Sequence, residues 1–272
     1  MQVPFIKMHG LGNDFVVLDG REQALPPMTG ALATALADRR TGIGCDQLLL
    51  LEPSETADLR MRIFNADGSE VEACGNATRA IGLMHGRPAR IETLAGIVTA
   101  APSDNGIAVE MGMPRFGWEE IPLAYAMDTH AMPVAWEQLA DPIAVNVGNP
   151  HVIFFVPDCE AVDLARLGAL IEHDPLFPDR INVNVATITA RDAITLRVWE
   201  RGAGLTLACG TGACATAVGA MRRGLVDRAV TVTLPGGRLR IAWREDGQII
   251  MTGPAAESFR GSFESTDYEA AR

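Results

Sequence analysis

The chain is written twice. Gly12-Asn13 leads into an apolar run, Phe15 to Leu18, that ends at Asp19, and Gly148-Asn149 leads into Val152 to Val156, which ends at Asp158. The two asparagines stand 136 residues apart. In each half a helix follows, from Thr29 to a stop at Gly42 and from Asp163 to a stop before Pro175. A polar amide comes next: Gln47 lies 34 residues after Asn13, and Asn182 lies 33 after Asn149. Then come an expected strand, Leu59–Phe64 or Ile194–Trp199, and after it Asn65 or Glu200. Nine residues further on, each half carries Ala-Cys-Gly, with Cys74 and Cys209 separated by 135 residues. Self-similarity at a fixed offset over this many features marks a duplicated structural unit.

Each Ala-Cys-Gly opens a helix that is apolar on most faces, one stopping at Gly86 and the other at Gly224. A helix with apolar residues all round belongs in the interior of its unit. Three short strands are expected after each helix, near 89–94, 97–101 and 107–111, and near 229–234, 238–243 and 248–252. Asn105-Gly106, Gly236-Gly237 and Asp246-Gly247 supply hairpin turns. Hairpins after a buried helix describe two similar lobes of mixed helix and strand, with a boundary near Pro114–Pro122. An N-terminal lobe over 1–116 would carry Cys74, and a C-terminal lobe over 117–260 would carry Cys209. Two such lobes facing each other make a cleft between equivalent elements, and here the equivalent elements are cysteines at helix N-termini.

Net charge excludes some partners. At −11, with an isoelectric point near 4.9, the surface repels nucleic-acid phosphates and anionic membranes. No apolar run reaches the ~18 residues of a membrane span. The start, Met1-Gln2-Val3-Pro4-Phe5, lacks the basic and apolar segments of a secretory signal, so the chain is expected in the cytoplasm. There the five cysteines remain thiols. No C-x-x-C occurs and Cys209-x4-Cys214 is not a usual zinc spacing, so no metal is expected. Cys159 and Cys214 read as core residues, and Cys45 stays undecided.

A helix N-terminus carries about half a positive charge and several unpaired N–H groups, which is expected to lower the pKa of a thiol placed there. Gly75-Asn76 and Gly210-Thr211 offer N–H donors to a bound carboxylate. Two thiols from two lobes, one charged and one protonated, suit removal of a proton from one face of an α-carbon and return to the other. The developing charge would rest on the helix N-termini, and no cofactor is needed. Asn13, Gln47, Asn65, Asn149 and Asn182 can each donate and accept. Glu200 suits an ammonium and Arg201 a carboxylate. A single asparagine is more often a turn or cap residue than a ligand contact; the matched pairs shift that balance for Asn13, Asn149, Gln47 and Asn182. His151 is a candidate for tuning a cysteine, although a lone histidine is more often structural.

These stretches resemble the diaminopimelate epimerase family over nearly the whole chain. The resemblance rests on Lys7-Met8-His9-Gly10-Leu11-Gly12-Asn13-Asp14-Phe15, on Asn65-Ala66-Asp67-Gly68-Ser69 with Ala73-Cys74-Gly75-Asn76, and on Gly148-Asn149-Pro150-His151. It continues through Arg180-Ile181-Asn182-Val183, Glu200-Arg201-Gly202-Ala203-Gly204, and Ala208-Cys209-Gly210-Thr211-Gly212-Ala213-Cys214. It implies an α+β protein of two pseudo-symmetric lobes, each a mostly antiparallel sheet wrapped around a central helix. The C-terminal tail, about 261–272, would join the first lobe. It further implies a homodimer and conversion of LL-2,6-diaminopimelate to the meso isomer, for lysine and peptidoglycan precursors. Cys74 and Cys209 would be the catalytic pair. Asn13, Gln47, Asn65, Asn149, Asn182, Glu200 and Arg201 would bind substrate together with both Cys-Gly loops, and His151 and Glu200 would influence the cysteine pKa values. Leu205, Ala77 and Ala80 depart from residues common in the family.

Rival readings remain open. A racemase for proline or histidine would share the fold, although Glu200-Arg201 suits a longer, doubly zwitterionic substrate. Gly210-Thr211-Gly212-Ala213-Cys214-Ala215 matches G-x-G-x-x-A, a weak nucleotide-binding signal when it stands alone, and hairpins follow it rather than βαβ units. A hydrolase built on Cys209 and His151 would leave Cys74 and the repeat unexplained.

Overall fold

The computed structural model describes residues 1–72 and 74–269; Ala73 of the first Ala-Cys-Gly and residues 270–272 of the expected tail lie outside the described residues. The chain divides into two compact units. One comprises Met1–Val109 together with the segment from Gly253 onward, and the other is Glu110–Thr252.

In the first unit, strand Gln2–Gly10 pairs antiparallel with Asn13–Asp19 on one side and with Ala256–Glu264 on the other. Asn13–Asp19 runs parallel to Gln47–Glu52, which pairs antiparallel with Leu59–Asn65. Leu59–Asn65 runs parallel to Ala89–Thr93, and the antiparallel strands Gly96–Ser103 and Gly106–Glu110 complete the series. The second unit repeats this order of senses. Ile143–Asn146 is antiparallel to Pro150–Phe155, which is parallel to Asn182–Ala190 and, through it, next to the antiparallel Ala193–Glu200. Ala193–Glu200 is parallel to Ala229–Leu234, and Gly237–Trp243 and Ile249–Gly253 follow antiparallel. The two parallel steps fall at the same places in both units. Parallel neighbours need a long crossover connection, and the helices of the repeat supply it.

Those helices are α1 (Gly30–Ala37), α2 (Gly75–His85), α3 (Leu164–Glu172) and α4 (Gly210–Arg222). Thr29 and Asp163 cap α1 and α3, their side chains accepting from the N–H groups of Leu32 and Arg166. The first helix stops at Ala37, short of Gly42. The Asp38 carboxylate accepts the N–H groups of Arg40 and Thr41 at 2.8 and 2.7 Å, and the Leu36 carbonyl takes those of Ile43 and Gly44. A turn thus satisfies the groups that a longer helix would have used.

The helices α2 and α4 are the interior of their units. Asn76–Gly82 of α2 are buried, as are Gly212–Ala220 of α4. Strands surround each: α2 packs on Gln2–Gly10, Ala89–Thr93, Gly96–Ser103 and Ala256–Glu264, and α4 on Ile143–Asn146, Pro150–Phe155 and Gly237–Trp243 among others. Alanine, glycine and threonine dominate α4 and recur through α2 at Gly75, Ala77, Thr78, Ala80 and Gly82, and such small residues let strands come close to a helix on several sides. A separate apolar cluster lies under α1, built on Val16, Leu36, Leu48 and Phe64, and another under α3, built on Phe154, Leu167, Ile171 and Val183. Among the described residues, no helix is long and apolar enough to cross a membrane.

Gly168 shows how tightly α3 sits. A Cβ there would lie 2.5–2.8 Å from atoms of the Trp199 side chain. Gly168→Ala is therefore expected to destabilise the second unit by about 1–3 kcal/mol, read as a lowered midpoint in urea unfolding. An unchanged midpoint would show that Trp199 has room to move.

Candidate active site

In the first unit, Cys74 is the N-cap residue of α2, in extended backbone conformation, with Gly75 as the first helical residue. The opening strand pair delivers Asn13 beside it. Asn13 Oδ1 accepts from Cys74 Sγ at 3.8 Å and from Asn76 Nδ2 at 3.1 Å. The other end of that amide is also engaged, for Asn13 Nδ2 donates to Asp46 Oδ2 at 3.0 Å. Asp46 is held in turn by a reciprocal exchange with Asp14. Each carboxylate accepts the other's backbone N–H, at 3.1 and 2.9 Å. Two like charges this close need cations. Lys7 meets Asp14 at 2.6 Å and also donates to the Gly44 carbonyl, and Arg39 bridges both carboxylates at 2.6 and 2.7 Å. Burial alone would raise the Asp14 carboxyl, but Arg39 and Lys7 outweigh it and hold the group well below the usual carboxylate range.

Gln47 and Asn65 are register partners on adjacent strands. Gln47 Nε2 donates to Asn65 Oδ1 at 3.0 Å, and Asn65 Nδ2 donates to Ser69 Oγ at 3.2 Å. Gln47 Oε1 is buried and has no hydrogen-bond partner among the described residues, the state of a group whose partner is a ligand or a water.

In the second unit, Cys209 is the N-cap residue of α4, and Gly212 N–H donates to its sulfur at 3.3 Å. The Thr211 hydroxyl lies 3.5 Å from the same sulfur. Glycine suits position 212, because a Cβ there would crowd Val198 at 3.0 Å and the sulfur at 3.2 Å. Cys209 is 3% exposed. The helix end was expected to lower this thiol's pKa; the structure raises it well above the ordinary value. Burial is the largest cause and the Glu200 carboxylate the next, and the contacts from Thr211 and Gly212 offset only part of them. Withdrawal from water penalises the thiolate more than the local dipole favours it.

Glu200 is held by the Thr206 hydroxyl, which donates to Oε1 at 2.5 Å. Asn182 is spent largely on the backbone around it: its Nδ2 donates to the Pro150 carbonyl at 2.8 Å, and its Oδ1 accepts Arg201 N–H at 3.0 Å. The Arg201 guanidinium donates to the Asp179 carbonyl at 3.0 Å. His151 is wholly buried, with Nδ1 facing Asn184 at 3.3 Å and Nε2 facing Asn149 at 3.0 Å.

Several residues that organise this chemistry were not singled out in the sequence. Asp46 fixes Asn13. Asn184, two residues beyond Asn182 and so on the same strand face, joins His151 to α4. Glu172, 2% exposed at the end of α3, accepts from the Trp199 indole at 2.7 Å and from Gly202 N–H at 2.9 Å, bracketing Glu200-Arg201. Cys45 is a core residue, its thiol pushed up to about 11 by burial. Cys159 and Cys214 are buried. Ala77 and Ala80 are enclosed in α2, and Leu205 is exposed.

The fold and the site together define a class: duplicated α+β proteins in which each unit buries a helix capped by a cysteine. The chain belongs to the diaminopimelate epimerase family, which it matches over residues 5–117 and 143–257. It is 66% identical to diaminopimelate epimerase of Erythrobacter litoralis over 268 residues, 98% of this chain and 100% of that protein. It is 67% identical to diaminopimelate epimerase of Rhizorhabdus wittichii over 259 residues, 95% of this chain and 94% of that protein. Its fold is similar to that of a phenazine biosynthesis protein of the PhzF family from Enterococcus faecalis, with a TM-score of 0.71 at 14% identity, covering 97% of this chain and 100% of that one.

His151 gives the unit a pH signature. Burial, reinforced by Arg201, lowers its pKa from the ordinary 6.5 to about 4, although the Asn184 contact works in the opposite direction. Between those values the unfolded chain binds a proton that the folded chain refuses, so stability falls as pH drops through that window. Urea unfolding over this range should show that slope in the wild-type protein, and His151→Gln should flatten it. An equal slope in both proteins would assign the proton to another group.

Proposed function

We propose that this protein is an epimerase that interconverts LL- and meso-2,6-diaminopimelate with two cysteines as acid and base. The observation that carries this reading is the matched placement of Cys74 and Cys209, each the N-cap residue of the buried helix in its own unit. Membership of the family and the names borne by relatives of 66% and 67% identity support the substrate.

The chemistry follows from proton bookkeeping. Inversion at an α-carbon removes a proton from one face and returns one to the other, with no net change in charge. One thiolate and one thiol complete this and exchange states in each turnover, so no cofactor is required. The raised pKa of Cys209 favours its entry as the thiol, which leaves Cys74 to enter as the thiolate. Cys74 takes the α-hydrogen, and Cys209 delivers its proton opposite; the reverse reaction exchanges these roles. The N–H groups of Gly75-Asn76 and Gly210-Thr211 receive the carboxylate at the reacting centre, where charge develops. Asn13, Gln47, Asn65, Asn149 and Asn182 supply polar contacts, Glu200 receives an ammonium, and Arg201 a carboxylate. An ammonium at Glu200 also neutralises the charge that holds Cys209 protonated, so substrate binding lowers the barrier to the thiolate state that Cys209 must adopt. His151 acts on Cys209 through Asn184 and Gly212. The reading includes a homodimer in the cytoplasm with no nucleic-acid or membrane partner, for which the charge of −11 is support.

Two measurements test it. LL-diaminopimelate incubated with the protein in heavy water should gain one deuterium at the α-carbon that inverts. Inversion without deuterium uptake would exclude exchangeable thiols as the bases. Cys74→Ser and Cys209→Ser should each lower kcat by about 100-fold or more while melting near the wild-type temperature, because a hydroxyl is a far weaker acid than a thiol. Wild-type turnover by either variant, or faster racemisation of proline or histidine by the unaltered protein, would overturn the assignment.

A further inference from the structure

The wholly buried chain Asn149–His151–Asn184–α4 fixes its own proton positions. Asn184 is 0% exposed and joins strand Asn182–Ala190 to the first turns of α4. Its Nδ2 lies 3.0 Å from the Gly212 carbonyl and 2.9 Å from Thr216 Oγ1. A carbonyl only accepts, so the nitrogen of the Asn184 amide must face Gly212, and both of its hydrogens are used there. Asn184 Oδ1 consequently faces His151 Nδ1 as an acceptor, and Nδ1 must carry the hydrogen.

The histidine has no second hydrogen to give. It is 0% exposed, and Arg201 is the charged group that acts on it, so the ring is neutral. Nε2 therefore holds a lone pair. The Asn149 side chain reaches Nε2 at 3.0 Å through Oδ1. Two acceptors at that distance repel each other. A half-turn of the amide leaves its shape unchanged and replaces the repulsion with Nδ2–H donating to Nε2. Asn149 is half-buried, so the end of its amide that faces away from His151 is the end open to a ligand or to water. After the half-turn that outward atom is the carbonyl oxygen.

We infer that Asn184 is a positioning residue: it holds His151 in the Nδ1–H tautomer and thereby makes Asn149 offer its carbonyl oxygen, an acceptor for an ammonium and not a donor for a carboxylate. The consequence for substrate rests on the proposed role of Asn149 in binding; the tautomer does not. Through Gly212, whose N–H donates to Cys209, the same amide also sets the start of α4. Asn184 thus ties the polarity of a ligand contact to the placement of a thiol.

The test is long-range nitrogen–proton NMR on the full chain labelled with ¹⁵N-histidine, with the His151 signals identified by their loss in His151→Gln. At neutral pH the wild-type ring should show a protonated Nδ1 and a bare Nε2. An Nε2–H tautomer or a doubly protonated ring would overturn the inference, whatever the activity of the protein. Asn184→Leu, which removes the acceptor, should populate the Nε2–H form and raise KM for diaminopimelate about tenfold, the size expected for one misdirected polar contact, with a smaller change in kcat. A folded Asn184→Leu with wild-type tautomer and KM would also overturn it. Absence of diaminopimelate turnover in the unaltered protein would instead defeat the proposed function and leave the His151 spectrum as expected.

Discussion

The constraint on which both units depend is the enclosure of a whole helix by strands. A helix inside a sheet cannot satisfy its first N–H groups with water, and its own turns provide no acceptors for them. Something at the N-terminus must take them up. At α4 the Cys209 sulfur takes the N–H of Gly212, and the backbone N–H groups nearer the start remain directed at whatever occupies the site. Under the proposed reaction this buried helix end is the position that receives the substrate carboxylate, and a residue that can carry negative charge stands at its edge. Small residues follow from the same enclosure: a Cβ at Gly212 would crowd the sulfur at 3.2 Å.

Enclosure also sets the sign of the electrostatics. Near water, the partial charge at a helix N-terminus would favour a thiolate. Behind a wall of strands, the loss of solvation outweighs that partial charge, and Glu200 adds a like charge. The sequence pattern announces the helix end but not the depth at which it sits, so the expected direction for Cys209 was reversed. His151 follows the same rule. Burial lowers its pKa to about 4, and what it presents to Asn184 and Asn149 is hydrogen-bond polarity, not charge.

The repeat was legible because turn residues, amides and cysteines recur at nearly constant offset, and those features are short-range. Helix starts at Thr29 and Asp163 were legible for the same reason, since caps are local chemistry. The end of α1 was not, because Asp38 offers the backbone a turn that competes with the helix. The strand Gln2–Gly10 was not singled out as one; its two neighbours, Asn13–Asp19 and Ala256–Glu264, come from opposite ends of the chain. Asp46, Glu172 and Asn184 escaped notice because each acts through another residue. Their partners are Asn13, Gly202 and His151, from 30 to 33 positions away in sequence. The residues proposed to face the ligand are matched in pairs, whereas the residues that hold them have no counterpart in the other half to call attention to them.

That difference between the halves is what duplication makes possible. Two identical sites would give two thiols of equal acidity, with nothing to decide which of them starts as the thiolate. The backbone supplies the equality: the same order of parallel and antiparallel steps, the same helix, the same N-cap position. The side chains supply the inequality. Cys74 is half-buried and meets the neutral amide of Asn13, behind which Asp46, Asp14, Lys7 and Arg39 balance one another's charge. Cys209 is buried and meets the carboxylate of Glu200. Under the proposed reaction the first environment suits a thiol that must start as the base, and the second suits one that must start as the acid. The two cysteines share a fold position and differ in surroundings, because the Asn13 amide, backed by paired charges, stands beside one and the Glu200 carboxylate beside the other.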